Sequence, residues 1–278
     1  MDILWTQARL RRAHNADLHV FARGSTFHPS VARNVAGENA CMKLSQLLFS
    51  QGFGVRRECE GLILGGHVSL GGQLCDDPFF EVDPASLEGF TFGVRGELWP
   101  YRVKALVLLH KPAGYECSQK PKHHPSVMTL LPPPLRVRGL QPVGRLDEDT
   151  TGLLLMTDDG ALIHRLTSPK KHVPKVYEIG TVDPVTPEQV DELLRGVVLH
   201  DDPLPVRAAA AEQTGEHALR MTLLEGKYHQ VKRMVAATGN TVNALRRSAY
   251  GVLALPADLA PGHWRWLDGP AAVLGTAE

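Results

Sequence analysis

The sequence predicts an α+β chain in two parts, a small N-terminal module followed by a larger C-terminal domain. Two observations carry this. Between Lys43 and Asp83, two short helical patterns precede a strand, a tight turn and a second strand. From Val103 onward, strand-length apolar or alternating runs are interleaved with helix patterns. A chain of 278 residues is long enough for one large and one small domain with an ordinary buried core.

Composition sets the limits of function. The 30 basic and 30 acidic residues cancel, so attraction to nucleic acid must come from local patches. No apolar run approaches the roughly 18–20 residues of a membrane helix, and no signal peptide opens the chain, so a cytoplasmic location is expected. The four cysteines (Cys41, Cys59, Cys75 and Cys117) lack metal or redox spacing and are expected as thiols. The adjacent His123 and His124 read as a solvated loop, so no metal site is expected.

Residues 1–42 have no sustained periodicity and are read as an extension or an early start, because a helix pattern follows Met42 at once. Residues 43–88 form the small module. Leu44, Leu47 and Leu48 share one helical face, and Gly52 can stop that helix. A second helix begins at Arg56, turns Leu62 and Ile63 inward and ends at Gly65-Gly66. Strands 67–70 and 73–75 flank Gly71-Gly72. Residues 89–102 read as a linker, and the larger domain occupies 103–278.

That domain opens with the apolar run Val103–His110 and a tight turn at Lys111-Pro112-Ala113-Gly114. Pro132, Pro133 and Pro134 mark a surface connection. The organising stretch follows: Gly144-Arg145-Leu146-Asp147-Glu148-Asp149-Thr150-Thr151-Gly152, then the apolar Leu153-Leu154-Leu155-Met156 and the acidic turn before Gly160. This pattern predicts a buried strand whose entry loop holds carboxylates beside the core. Asp149 can cap the turn through its own side chain.

A short helix is predicted near Ala161–Leu166, followed by a basic loop with Lys170 and Lys171. Residues Lys175–Val182 alternate as a strand, with Val176 and Tyr177 on opposite faces. Thr186-Pro187-Glu188-Gln189 is a capped helix start whose buried side is supplied by Val190, Leu193, Leu194 and Val197. After a strand at Leu219–Leu224 comes Glu225-Gly226-Lys227-Tyr228-His229-Gln230-Val231-Lys232-Arg233-Met234. Helical spacing groups Val231, Met234 and Val235 and leaves His229, Lys232 and Arg233 on the opposite side. Between Arg220 and Tyr250, six basic residues face only Glu225, a local excess of five positive charges.

Three of these segments, in order, resemble the motifs of the RsuA-type pseudouridine synthases, which modify ribosomal RNA. They are the stretch from Gly144 to Gly160, Lys175-Val176-Tyr177, and Glu225–Met234; Lys111-Pro112-Ala113-Gly114-Tyr115-Glu116-Cys117-Ser118 is similar to a fourth. Residues 43–88 resemble the S4 RNA-binding domain found ahead of that catalytic domain. Here, though, Lys43, Arg56 and Arg57 stand against seven acids.

The resemblance implies a mixed, largely antiparallel central sheet flanked by helices. It also implies cofactor-free isomerisation of a uridine in 16S ribosomal RNA by a monomer, the partner being that RNA or a small-subunit assembly intermediate. Asp147 would be catalytic, with Tyr177 facing it, Lys232 holding it charged and Val231 close by. Arg145, Lys111, Arg56, Arg57, Lys170, Lys171, Lys227, Tyr228, His229, Gln230 and Arg233 are the candidate RNA contacts. Alternatives remain: action on 23S RNA, a noncatalytic RNA-binding or assembly role, and glycoside hydrolysis. The last normally needs two separated carboxyl groups.

Overall fold

The computed structural model describes residues 41–83, 89–200, 202 and 204–275. The expected N-terminal extension, apart from Cys41 and Met42, lies outside the described residues. Strand β1 (Met42–Lys43) leads directly into α1 (Leu44–Ser50), then α2 (Arg56–Leu64), β2 (Val68–Leu70), β3 (Gln73–Leu74) and β4 (Glu81–Val82). Leu44, Leu47 and Leu48 pack with Cys59 and Ile63, as the helical spacing predicts. The start of α2 is fixed by Glu58, whose carboxylate accepts the Val55 amide at 2.8 Å.

The expected linker is a correction. Residues 89–102 contain β5 (Thr91–Val94) and β6 (Glu97–Pro100), which complete a four-stranded sheet in the order β3-β2-β5-β6. Arg95 and Gly96 both take positive φ (52° and 82°), the demand of a two-residue hairpin turn. Arginine is an unusual occupant of that position, so the turn carries no familiar sequence mark. Phe92 is nonetheless buried in the module's core, and that burial holds the hairpin in place.

The larger domain follows the order β7 (Leu106–Lys111), α3 (Pro133–Val137), β8 (Gln141–Pro142), β9 (Thr151–Thr157), α4 (Gly160–Thr167), β10 (Lys175–Thr181) and α5 (Pro187–Arg195). Then come β11 (Ala210–Gly215), β12 (Ala218–Leu223), α6 (Gln230–Ala237), β13 (Val242–Tyr250), β14 (Leu253–Ala254), β15 (Trp264–Trp266) and α7 (Ala271–Leu274). The sheet runs β11-β12-β10-β13-β9-β7-β15, with β8 on β9 and β14 on β13. Among the described strands only β13 and β9 pair in parallel, so the sheet is mixed and largely antiparallel, as expected.

Strands β7 and β9 explain their unbroken apolar runs by being covered on both faces. Val107, Leu109, Leu154 and Met156 face one core with Leu135, Leu193, Val231 and Met234. Leu106, Leu108, Leu153 and Leu155 face another with Leu162, Leu166, Tyr250 and Val273. The prolines expected as a surface connection start α3 instead, since Pro133 needs no amide partner at a first helical position. The capped start of α5 forms as read, Thr186 accepting the Gln189 amide, but Leu194 is exposed rather than buried.

One guanidinium joins the small module to the larger domain. Arg138 at the end of α3 meets Asp158 at 2.5 Å, the Gln51 side chain at 2.8 Å, and the carbonyls of Arg102 and Val103 at 2.6 and 2.9 Å. Asp158 also accepts the Ala105 amide. Gly52 lies so close to this helix that a Cβ there would come 2.1 Å from the Pro134 carbonyl oxygen. Arg138→Ala strands a largely buried Asp158 carboxylate and is expected to cost about 3–5 kcal/mol of stability in urea denaturation. A loss below about 1 kcal/mol would show that this junction contributes little.

Candidate active site

The entry loop of β9 is built around a buried ammonium. Lys111, the last residue of β7, is fully buried, and its Nζ donates to the carbonyls of Thr150 (2.8 Å), Glu148 (2.9 Å) and Pro112 (3.1 Å). Burial pulls the ammonium below its ordinary pKa, while the charges of Cys117 and the loop acids Glu148, Asp149 and Asp147 act in the opposite sense. Glu148 also accepts the Gly114 amide, and Thr150 closes an i to i+3 turn onto the Asp147 carbonyl. With its carbonyls turned inward to Lys111, the loop can present its carboxylates to α6. Lys111 was expected to contact RNA; a lysine with no exposed surface and three carbonyl partners cannot.

Asp147 keeps 30% of its side chain exposed. Its Oδ1 lies 3.2 Å from His229 Nε2, and its Oδ2 lies 3.9 Å from Lys232 Nζ. Lys232 is held more tightly by Asp149, 2.7 Å from each of that carboxylate's oxygens. Burial raises the Asp149 carboxyl, but the Lys232 hydrogen bonds and charge outweigh it and leave the group below its ordinary range. Asp149 is therefore a partner of the α6 lysine as well as a turn residue, a role with no local sequence signal.

Tyr177 on β10 is 8% exposed and packs in the same core as Leu146 and Val231, the neighbours of Asp147 and Lys232. Its hydroxyl makes no hydrogen bond among the described residues. In the sheet, Tyr177 sits opposite Arg247 of β13, which sits opposite Gly152 of β9. Gly152 must be glycine: its φ is +105° and a Cβ would lie 2.3 Å from the Arg247 carbonyl oxygen. Arg247 is buried, donates through Nε to the Leu153 carbonyl at 2.8 Å, and leaves Nη2 without a partner among the described residues. Alternation from buried Leu245 could have marked Arg247 as inward-facing.

The other candidates divide. Gln230 is buried and ties Lys227 to Glu225 through its amide, which makes it a structural residue rather than the expected RNA contact. Lys227 is ion-paired with Asp202. Arg233 Nη1 donates to the Tyr228 carbonyl. Arg220 bridges Glu178 and Glu212, so much of the local positive excess read from residues 220–250 is neutralised. Arg145, Arg246, Lys170 and Lys171 remain exposed. The entry loop of β9 meets the basic turn near Thr167, whose methyl lies 3.8 Å from where a Gly144 Cβ would stand. Arg56 and Arg57 are exposed on α2, Arg56 over the Phe49 ring at 5.7 Å. A groove of about 540 Å³ beside Asp149, lined in part by Thr151, Glu178, Gly180, Ala244 and Arg246, adjoins a second that shares Thr151 and Arg246.

Glu116 organises the loop of residues 122–124. Its carboxylate accepts the amides of His123 (2.8 Å), His124 (2.9 Å) and Lys122 (3.1 Å), and these backbone bonds hold its pKa down to about 2.

Comparison with known proteins bears on this geometry. Residues 105–237 match the family described as RNA pseudouridylate synthase, and residues 42–86 match the S4 domain. The uncharacterized RNA pseudouridine synthase YtzG of Bacillus subtilis (strain 168) is 38% identical over 230 residues, covering 81% of this chain and 95% of the relative. The ribosomal small subunit pseudouridine synthase A of Escherichia coli (strain K12) is 38% identical over 225 residues, with the same coverage. A crystal structure of a pseudouridylate synthase superposes with a TM-score of 0.57 at 31% identity, covering 81% of this chain and 96% of the other.

Lys111→Met preserves length but removes three donors. Amide-exchange protection at Gly114 and Thr150 is expected to collapse while that of Leu154 persists, with a stability loss of about 3 kcal/mol. Unchanged protection at Gly114 and Thr150 would refute the ammonium's role in shaping the loop. Glu116 has a folded pKa below its ordinary value, so its contribution is complete above about pH 4.5 and fades as pH falls toward about 2. The amide signals of Lys122, His123 and His124 should shift together across that window, and Glu116→Gln should abolish the transition.

Proposed function

Because the chain belongs to the RsuA-type family of RNA pseudouridine synthases, with an S4 domain ahead of the catalytic one, we propose that it isomerises one uridine of small-subunit ribosomal RNA and that Asp147 is the reacting carboxylate. The observation that carries this reading is the position of Asp147: partly exposed, on a loop anchored by Lys111, between an imidazole and an ammonium from α6. Elsewhere on that loop, Asp149 lies open on the groove.

In the reaction the N-glycosidic bond of the uridine breaks, the uracil turns while held, and C5 joins the ribose C1′. The C5 proton is lost and N1 gains one. Ionised Asp147 either adds to C1′ or takes the C2′ proton to give a glycal; both routes start from the same anion. Lys232 supports that anion at 3.9 Å while neutralising Asp149 at 2.7 Å, so its charge serves the carboxylate pair rather than Asp147 alone. Tyr177 offers an aromatic face and an unengaged hydroxyl for the uracil. The target nucleotide must leave its stack to reach Asp147, which favours unpaired RNA or an assembling subunit.

Exposed Arg145, Lys170, Lys171 and Arg246 are the cations we assign to phosphates around the site, and Arg56 and Arg57 those on the S4 module. The enzyme acts as a monomer in the cytoplasm. Among the described residues no helix is long and apolar enough to cross a membrane.

Asp147→Asn keeps the shape and removes the anion. Pseudouridine formation is expected to fall by about 10²–10⁴-fold or more with an unchanged circular dichroism spectrum. Nucleotide-resolved mapping of pseudouridine in both ribosomal RNAs, with and without the gene, supplies the second half of the test. Substantial isomerisation by folded Asp147→Asn would refute the catalytic role, and a site lost only from large-subunit RNA would refute the substrate.

A further inference from the structure

The closest partner of the Asp147 carboxylate is His229, and the local backbone is built to aim it. Gln230, buried at the start of α6, accepts the Lys227 amide at 2.8 Å and donates to the Glu225 carboxylate at 3.1 Å. These two bonds tie the Glu225–Lys227 turn to the helix and leave His229 at its N-cap in the left-handed region, φ 46° and ψ 33°. Non-glycine residues are uncommon there, with histidine, asparagine and aspartate the more frequent occupants, and the conformation here is held by the surrounding contacts. The His229 carbonyl begins the helix by accepting the Arg233 amide at 3.0 Å, but its side chain caps nothing. The imidazole lies instead beside Asp147, its Nε2 3.2 Å from Oδ1.

The ring is also braced from its face. Tyr228 stacks on it with centroids 3.8 Å apart and planes 19° apart, although Tyr228 is itself 73% exposed. Arg233 holds the Tyr228 carbonyl at 3.1 Å. Lys232, by contrast, has both Asp149 oxygens at 2.7 Å and stands 3.9 Å from Asp147.

We propose that His229 is a positioning residue for catalysis: its Nε2–H fixes Asp147 Oδ1, so that Oδ2 is presented to the ribose, and the stacked Tyr228 holds the imidazole in that pose. This rests on the reading of Asp147 as the reacting carboxylate. A role in RNA contact, the sequence expectation for both residues, would appear in substrate affinity. Orientation of the carboxylate appears in the chemical step.

The test uses the full chain and the RNA or assembling particle that the wild type modifies, with release of tritium from C5 of the target uridine as readout. His229→Phe keeps a ring to stack and removes the donor; kcat is expected to fall by about 10²-fold with KM changed less than about twofold. His229→Asn retains an N–H donor and accepts the left-handed backbone readily. It should recover part of the lost kcat, and serves alone if the phenylalanine variant does not fold. Tyr228→Ala should lower kcat less than His229→Phe does. A rise in KM at unchanged kcat, or wild-type kcat in His229→Phe, would overturn the proposal, as would an asparagine variant no better than phenylalanine. Activity retained by Asp147→Asn in the same assay would instead overturn the underlying assignment of Asp147.

Discussion

The buried Lys111 ammonium is the interaction on which the site depends. A charge without solvent must find partners or lose its proton, and here three backbone carbonyls meet it. Two of them, from Glu148 and Thr150, belong to the loop that carries Asp147 and Asp149. The covalent position of Lys111 at the end of β7, opposite Gly152 on β9, turns one strand pairing into an anchor for the loop between them. Neither a surface lysine nor an apolar residue could orient those carbonyls.

On that anchored loop, electrostatics are shared among three segments distant in sequence. The loop supplies two carboxylates, the start of α6 supplies an imidazole and an ammonium, and β10 supplies a tyrosine from the same packed core. The basic side chains divide between the acids: Lys232 is chelated by Asp149, and His229 lies against Asp147. This division leaves the Asp147 carboxylate partly open, with one oxygen loosely attended, which suits the reacting role proposed for it. The Asp149–Lys232 pair in turn keeps a strong, compact cation beside the site without locking Asp147 to it.

Charge summed along a segment proved a poor guide to the surface. The positive excess between Arg220 and Tyr250 is largely consumed by Glu178, Glu212, Asp202 and Asp149, contributed from other strands and loops, while Arg247 is buried. The same blindness affected Lys111 and Gln230, both polar and both read as outward-facing. Nothing local distinguishes a lysine that meets phosphate from one that meets carbonyls; burial decides, and burial is a property of the packed chain. The residue 89–102 hairpin was missed for a related reason, since its Arg95-Gly96 turn gains its unfavourable φ from the pairing of β5 with β6 and the burial of Phe92.

Sequence alone determined the elements whose cause is local or periodic. Helical spacing fixed the inward faces of α1, α2 and α6, Thr186 and Gln189 fixed the start of α5, and the apolar run after Gly152 fixed β9 as a doubly buried strand. The motif residues also marked Asp147, Tyr177 and Lys232 as one expected site. Tertiary structure decided which carboxylate meets which basic side chain, that Lys111 faces inward, and that His229 lies beside Asp147. Those outcomes depend on groups up to 85 residues apart, Asp147 and Lys232, being brought to within 4 Å, and at that range a side chain's partner is set by packing rather than by its neighbours in the chain.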